Sequence, residues 1–147
     1  MRENMGIYRG KRKDTGEWVE GNLIESDNSH YPMVLIGHVI TSRDKHTNAL
    51  FFCGFDLCEV DPSTVGRYTG LLDNQGKRIF ENDTVRFKRK FVHGRAVVMI
   101  GRIVYDERNA RFHISDSDDC ICWDIYGVED LEVVHNDPEL LEVSEND

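Results

Sequence analysis

Apolar residues in this chain fall in short runs, and no segment sustains the 3.6-residue period of an amphipathic helix. The runs are rich in Val, Ile, Tyr and Phe and are broken by Gly, Asn and Asp, which predicts an all-β fold. A first hairpin is expected from residues 7–13, the loop Asp14-Thr15-Gly16 and residues 17–20. An Asp-x-Gly loop suits a type I turn closed by a left-handed glycine, and Trp18 gives this module a large apolar face. Strands are then expected at 22–25, 33–40 and 49–52. The stretches at 27–29 and 41–48 are polar and read as loops, and Pro62 makes 61–65 extended and edge-like.

A second hairpin repeats the first in outline. Residues 67–72 lead into Asp73-Asn74-Gln75-Gly76, and residues 77–80 return. The flanking sequences differ, so this is no repeat protein. In 84–88, Val85 and Phe87 alternate with Arg86 and Lys88, which places the two pairs on opposite faces of a strand. His93-Gly94 marks a turn, 96–105 a long strand with Gly101 as a bend or bulge, and 110–114 another strand. In 120–125, Ile121, Trp123 and Ile125 share one face, and 131–134 closes the set. Five such strands suit a small SH3-like barrel. Asn136 or Asp137 can cap a short C-terminal helix, with Pro138 at its first position and Leu140, Leu141 and Val143 packing it down.

Several of these segments together resemble the YopX family of phage and prophage proteins. Residues 9–18 with Gly21-Asn22-Leu23-Ile24 resemble the family's opening. Residues 65–73 followed by Gly76-Lys77-Arg78-Ile79-Phe80-Glu81 resemble its middle signature. Residues 83–87, 101–106 and 136–141 resemble the rest. Where the family usually has glycine before Asp83 this chain has Asn82, the non-glycine residue that best tolerates a left-handed backbone. The resemblance implies an N-terminal β module (1–64) beside an SH3-like module (65–147), and a phage or prophage origin in a bacterium. It carries over no catalytic residue.

Length and charge sharpen the picture. At 147 residues the chain holds one domain or two small modules. The net charge of −9 is uneven: the last 33 residues, from Ser115, hold 12 Asp or Glu and no Lys or Arg, leaving 18 basic and 15 acidic residues before them. Such a segment serves as a solvated acidic face, or lies against basic hairpins to mask a binding surface or join copies. No apolar run approaches transmembrane length and the start leads into none, so a cytoplasmic protein of a bacterial host is expected, away from membranes. Reduced thiols are then expected at Cys53, Cys58, Cys120 and Cys122.

The candidate chemistry is sparse. The Walker loop, the Gly-x-Ser-x-Gly elbow, His-Glu-x-x-His and the dinucleotide fingerprint are all absent, which points away from an enzyme. Zinc on the four cysteines is disfavoured because Cys120 and Cys122 sit mid-strand rather than on a tight turn. Asp116, Asp118 and Asp119 lack the glycine and distal glutamate of a calcium loop. His113, alone on a strand, reads as exposed or hydrogen-bonded. No cofactor is expected. The positive signal is basic: Arg86, Lys88, Arg89, Lys90 and Arg95 crowd one hairpin, with Phe87 and Phe91 between them, and Arg9, Lys11, Arg12 and Lys13 crowd another. Basic strands with aromatic platforms bind nucleic acid in small barrels, but the acidic total and the inward phase of Phe87 oppose that reading. The sequence therefore favours a non-enzymatic module that binds a bacterial or phage protein. Nucleic acid on the hairpin 86–95 is the alternative, an enzyme of unfamiliar type is third, and homo-oligomerisation stays open.

Overall fold

A computed structural model describes residues 7–26, 30, 32–90, 94–116 and 122–135. These residues form eleven β-strands and one 3-10 turn, with no α-helix among them. The protein is all-β, as the alternation predicts. The strands pair into two antiparallel sheets, neither closed among the described residues. The chain divides into two compact units, Met1–Arg67 and Tyr68–Asp147.

The first unit is a meander of β1 (Tyr8–Lys11), β2 (Trp18–Glu25), β3 (Val34–Arg43) and β4 (Leu50–Glu59). Each strand pairs with the next, and the first two residues of β5 (Gly66–Leu72) lie along the free side of β1. Gly16, at φ 72°, closes the first hairpin as its Asp-x-Gly loop predicts. The small core holds Ile36 and Val60, both fully buried. Trp18 is only half-buried, and its ring is covered by the guanidinium of Arg9 at 4.3 Å and the ammonium of Lys11 at 5.3 Å. These are cation–π contacts across a hairpin rung.

In the second unit the rest of β5 pairs with β6 (Arg78–Phe80). A five-stranded sheet follows, ordered β10-β9-β8-β7-β11. Its strands are β7 (Thr84–Lys90), β8 (Ala96–Asp106), β9 (Arg111–Ser115), β10 (Cys122–Asp124) and β11 (Glu129–His135). The last strand returns to the outer side of the first, and no ladder joins β10 to β11 among the described residues, so the sheet is open. The core of this unit gathers Val85, Phe87, Ile103, Ile114 and Trp123 from that sheet with Ile79 of β6 and Ile125 beyond β10. The inward residues of 84–88 and 120–125 are thus correctly phased wherever they are described.

Three local expectations change, and a fourth falls outside the described residues. The polar stretch 41–48 is not all loop: β3 runs on to Arg43, and only Asp44 to Ala49 form the turn. Polar side chains are no bar to a strand that is solvated on both faces. Pro62 opens a 3-10 turn, Pro62–Thr64, instead of an extended stretch; Asp61 caps it, its Oδ1 accepting from the Ser63 N–H at 3.0 Å. Gly101 is not a bulge, because the β7–β8 register is continuous through the Val85–Gly101 rung. Its role is close approach: a Cβ there would lie 2.5 Å from Ile114 Cγ2 and 2.7 Å from the Ser115 carbonyl oxygen. The expected helix after Asn136 lies outside the described residues, as do Cys120, Ile121 and Phe91.

Gly101→Ala should therefore lower stability by about 1–3 kcal/mol through overpacking of β9. Urea unfolding followed by circular dichroism measures this, and an unchanged midpoint would remove the packing role given to Gly101.

Candidate functional site

The basic hairpin is built by the alternation of β7. Val85 and Phe87 are fully buried, which turns Arg86 and Lys88 to the solvent face. On β8 they stand opposite Ile100 and Val98, both exposed. On the other side β11 sets Glu132 opposite Arg86 and Glu129 opposite Lys88. Arg86 Nη1 lies 3.4 Å from Glu132 Oε2, and Lys88 Nζ lies 3.2 Å from Asp130 Oδ2. Acidic residues of the last third of the chain therefore lie against two of the five predicted site cations. Arg89 and Arg95 are exposed, and Lys90 ends β7 opposite Ala96. Phe87 cannot serve as a base-stacking platform, because it is in the core with its ring 5.5 Å from that of Trp123.

The other basic group is largely occupied with its own module. Arg9 is buried against Trp18, Arg12 Nη2 sits 2.7 Å from Asp14 Oδ2, and Lys13 Nζ sits 3.1 Å from Glu59 Oε1. These exposed ion pairs orient side chains more than they stabilise.

Candidate metal and acid–base groups stand apart. Cys53 and Cys58 are five residues apart on β4, roughly 15 Å along a strand, too far to share one ion. No group of three or more His, Cys, Asp or Glu residues is placed to hold a metal among the described residues. His113 is hydrogen-bonded: its Nε2 lies 3.0 Å from Asp106 Oδ2, which also accepts from Asn109 Nδ2 at 2.6 Å. The hydrogen bond from His113 and then that from Asn109 hold the Asp106 carboxyl well below the ordinary carboxylate range. The cluster fastens the β8–β9 turn, where Asp106 Oδ1 also accepts from the Arg108 N–H at 3.0 Å.

A surface that sequence reasoning missed lies on the β3–β4 hairpin. Beyond Gly37, β3 has lost its pairing with β2, and among the described residues 38–43 pairs only with β4. The result is a two-stranded arm with a well-formed tip, where Asp44 Oδ1 accepts from the N–H groups of His46 at 2.7 Å and Thr47 at 2.9 Å. A register shift leaves Cys53 as an extra residue between the Ile40–Gly54 and Thr41–Phe52 rungs. This bulge rephases β4 so that Phe52 and Phe55, three residues apart, share a face. Their rings meet edge-on with centroids 5.0 Å apart. Val39 and Leu50 lie on the same face by register, and the four are exposed at 62% (Phe52), 60% (Phe55), 63% (Leu50) and 48% (Val39). The visible signal was three phenylalanines in the five residues 51–55.

Two motif aspartates have a different task. Asp73 Oδ1 accepts from the N–H groups of Gln75 at 2.9 Å and Lys77 at 2.8 Å, and its Oδ2 accepts from the Val133 N–H at 3.1 Å. Asn74 N–H donates to the Leu131 carbonyl at 2.7 Å, so the β5–β6 turn is stitched to β11. Asp83, fully buried, accepts from the Phe80 N–H at 2.8 Å across a tight turn in which Asn82 has φ 76°. That is the left-handed geometry expected of Asn82.

Residues 7–142 match the family model described as YopX protein. The chain belongs to the YopX family. No curated protein and no solved structure matches it. In this YopX chain the middle signature is a folding device: Asp73, Gly76 and Lys77 build one turn, and Phe80 to Asp83 build the next. The carboxylates of both turns are buried: Asp73 is 7% exposed and Asp83 is fully buried.

Burial pushes the Asp73 carboxyl up, but the N–H groups of Val133, Lys77 and Gln75 together outweigh it and leave the group below its ordinary 3.8. A depressed carboxylate contributes stability that is full above the unfolded value and is lost as pH falls through the folded one. Asp73→Ala should cost about 2–3 kcal/mol at neutral pH. The gap from wild type should begin to narrow below pH 3.8, where the unfolded carboxylate takes up its proton, and close as pH falls through the lower folded value. Urea midpoints at pH 7 and pH 3 test both parts, and equal midpoints at pH 7 would refute the anchoring role.

Proposed function

We propose that this chain is a non-enzymatic accessory protein of a phage or prophage, acting in the bacterial cytoplasm as a protein-interaction module. The observation that carries the reading is the β3–β4 arm, a two-stranded ribbon with an aromatic face open to solvent. An isolated ribbon is at best marginally stable in water, and large apolar side chains gathered on one exposed face mark an interaction site. Unit 2 is read as an SH3-like module. What supports this is its strand order, a meander whose last strand returns to the free side of its first, as closure of a small barrel needs. Among the described residues, no helix is long and apolar enough to cross a membrane.

The nucleic-acid reading is weaker. Arg86 and Lys88 are matched by Glu132 and Asp130, and Phe87 is buried. Two of the five predicted site cations are thus occupied within the chain.

The test is capture on the immobilised tagged chain, from a bacterial lysate that also contains untagged chain, with and without nuclease. A polypeptide should be retained after nuclease and lost with Phe52→Asp/Phe55→Asp, while Arg89→Glu/Arg95→Glu should retain it. Recovery of nucleic acid with a steep salt dependence, lost in the Arg89/Arg95 variant, would replace this reading with the nucleic-acid one.

A further inference from the structure

The polypeptide that covers the arm can be specified. We infer that it is a second copy of this chain, packed arm against arm with the two arms antiparallel; this rests on the protein-interaction reading above.

The register gives the face of the arm an order along its length. From base to tip its rungs are Leu35–Glu59, Gly37–Leu57, Val39–Phe55, Thr41–Phe52 and Arg43–Leu50. The strip therefore carries a carboxylate at one end (Glu59, which also pairs with Lys13 of its own chain), aromatic rings in the middle and a guanidinium at the other. A two-fold axis between the Val39–Phe55 and Thr41–Phe52 rungs makes it self-complementary. The aromatic rungs then meet each other, the Arg43–Leu50 rung meets Leu57 of the Gly37–Leu57 rung, and Arg43 of each copy lies one rung from the other copy's Glu59. An isologous contact of this kind closes a dimer and stops there. A foreign partner would have to reproduce this order of charges, whereas a second copy carries it already.

The area is sufficient. An aromatic side chain offers about 150–250 Å², so Phe52 and Phe55 at their observed exposure present roughly 240 Å² together. Leu50 and Val39 raise this to roughly 400 Å² per copy. Since about 57% of an interface is apolar, the footprint is roughly 700 Å² per copy, the size of a standard specific interface. The bulge at Cys53 has the effect of collecting this area on one face, and it also spoils the outer side of β4 for open-ended strand addition. That favours a face-to-face pair over a growing sheet.

Sedimentation equilibrium on the purified full chain, over a range of micromolar concentrations, tests the inference. The expected mass is twice the monomer's 17.0 kDa. Phe52→Asp/Phe55→Asp should give the monomer mass with the strand content by circular dichroism unchanged, and a urea midpoint lowered to the concentration-independent value of a monomer. Arg43→Glu and Glu59→Arg should each weaken association at least tenfold, and the two combined in one chain should restore it. A monomer at all concentrations, or a dimer indifferent to all four substitutions, would overturn the inference. If the chain is monomeric yet capture from lysate still depends on Phe52 and Phe55, the arm binds a foreign protein: the interaction reading survives and the second copy does not. If capture is also indifferent to them, both fall.

Discussion

Unit 2 depends on one carboxylate. Asp73 sits at the β5–β6 turn but spends half of its hydrogen-bonding capacity on Val133, sixty residues later. β11 needs that hold, because its pairing with β7 is interrupted by two register shifts and its outer side has no strand among the described residues. With β11 fixed, Glu132 and Asp130 are delivered to Arg86 and Lys88, and the buried face gains Leu131 and Val133 at its margin. Buried polar groups are tolerated when their partners are complete, and then they specify one arrangement over its competitors. A turn motif thereby fixes the position of a distant strand.

Asp83 works in the same way at closer range. Its carboxylate closes the turn after β6, while its backbone and that of Asn82 pair with Ile103 of β8. The two family aspartates thus join the β5–β6 hairpin to both β8 and β11. This gives the family signature a mechanical meaning. A short motif of Asp, Gly and Lys resembles a phosphate loop only in composition; here the backbone N–H groups are consumed by the protein's own carboxylates.

Much of this was legible in the sequence, for an identifiable reason. Val85, Phe87, Trp123 and Ile125 alternate with polar residues because one face of the sheet is buried, and period-two patterning reports that burial directly. Turns at Gly16, Gly76 and Asn82 were readable because a left-handed backbone restricts the choice of residue. The arm was not readable, since neither face of it is buried within one chain and there was no alternation to find. An acidic segment lying against the basic hairpins was one of the readings the charge layout allowed, and the ion pairs of Arg86 and Lys88 agree with it; which residues pair was hidden, because that depends on which strand β11 joins. Gly101 was misread because a glycine that makes room for a neighbour and one that bends a strand leave the same letter.

The bulge at Cys53 also constrains how this chain can change length. Between Asp44 and Ala49 the tip can gain or lose residues without disturbing the strands on either side. Between Leu50 and Phe55 the one residue the ladder can lose is the bulged one: without Cys53 the Ile40–Gly54 and Thr41–Phe52 rungs become consecutive, and Phe52 and Leu50 keep the face of Phe55. A residue added to the ladder there would instead turn every position beyond it, as far as the tip, to the other face. Drift in this segment is thus limited by counting before it is limited by chemistry: substitutions that keep an apolar side chain are absorbed, and a shift of phase is not.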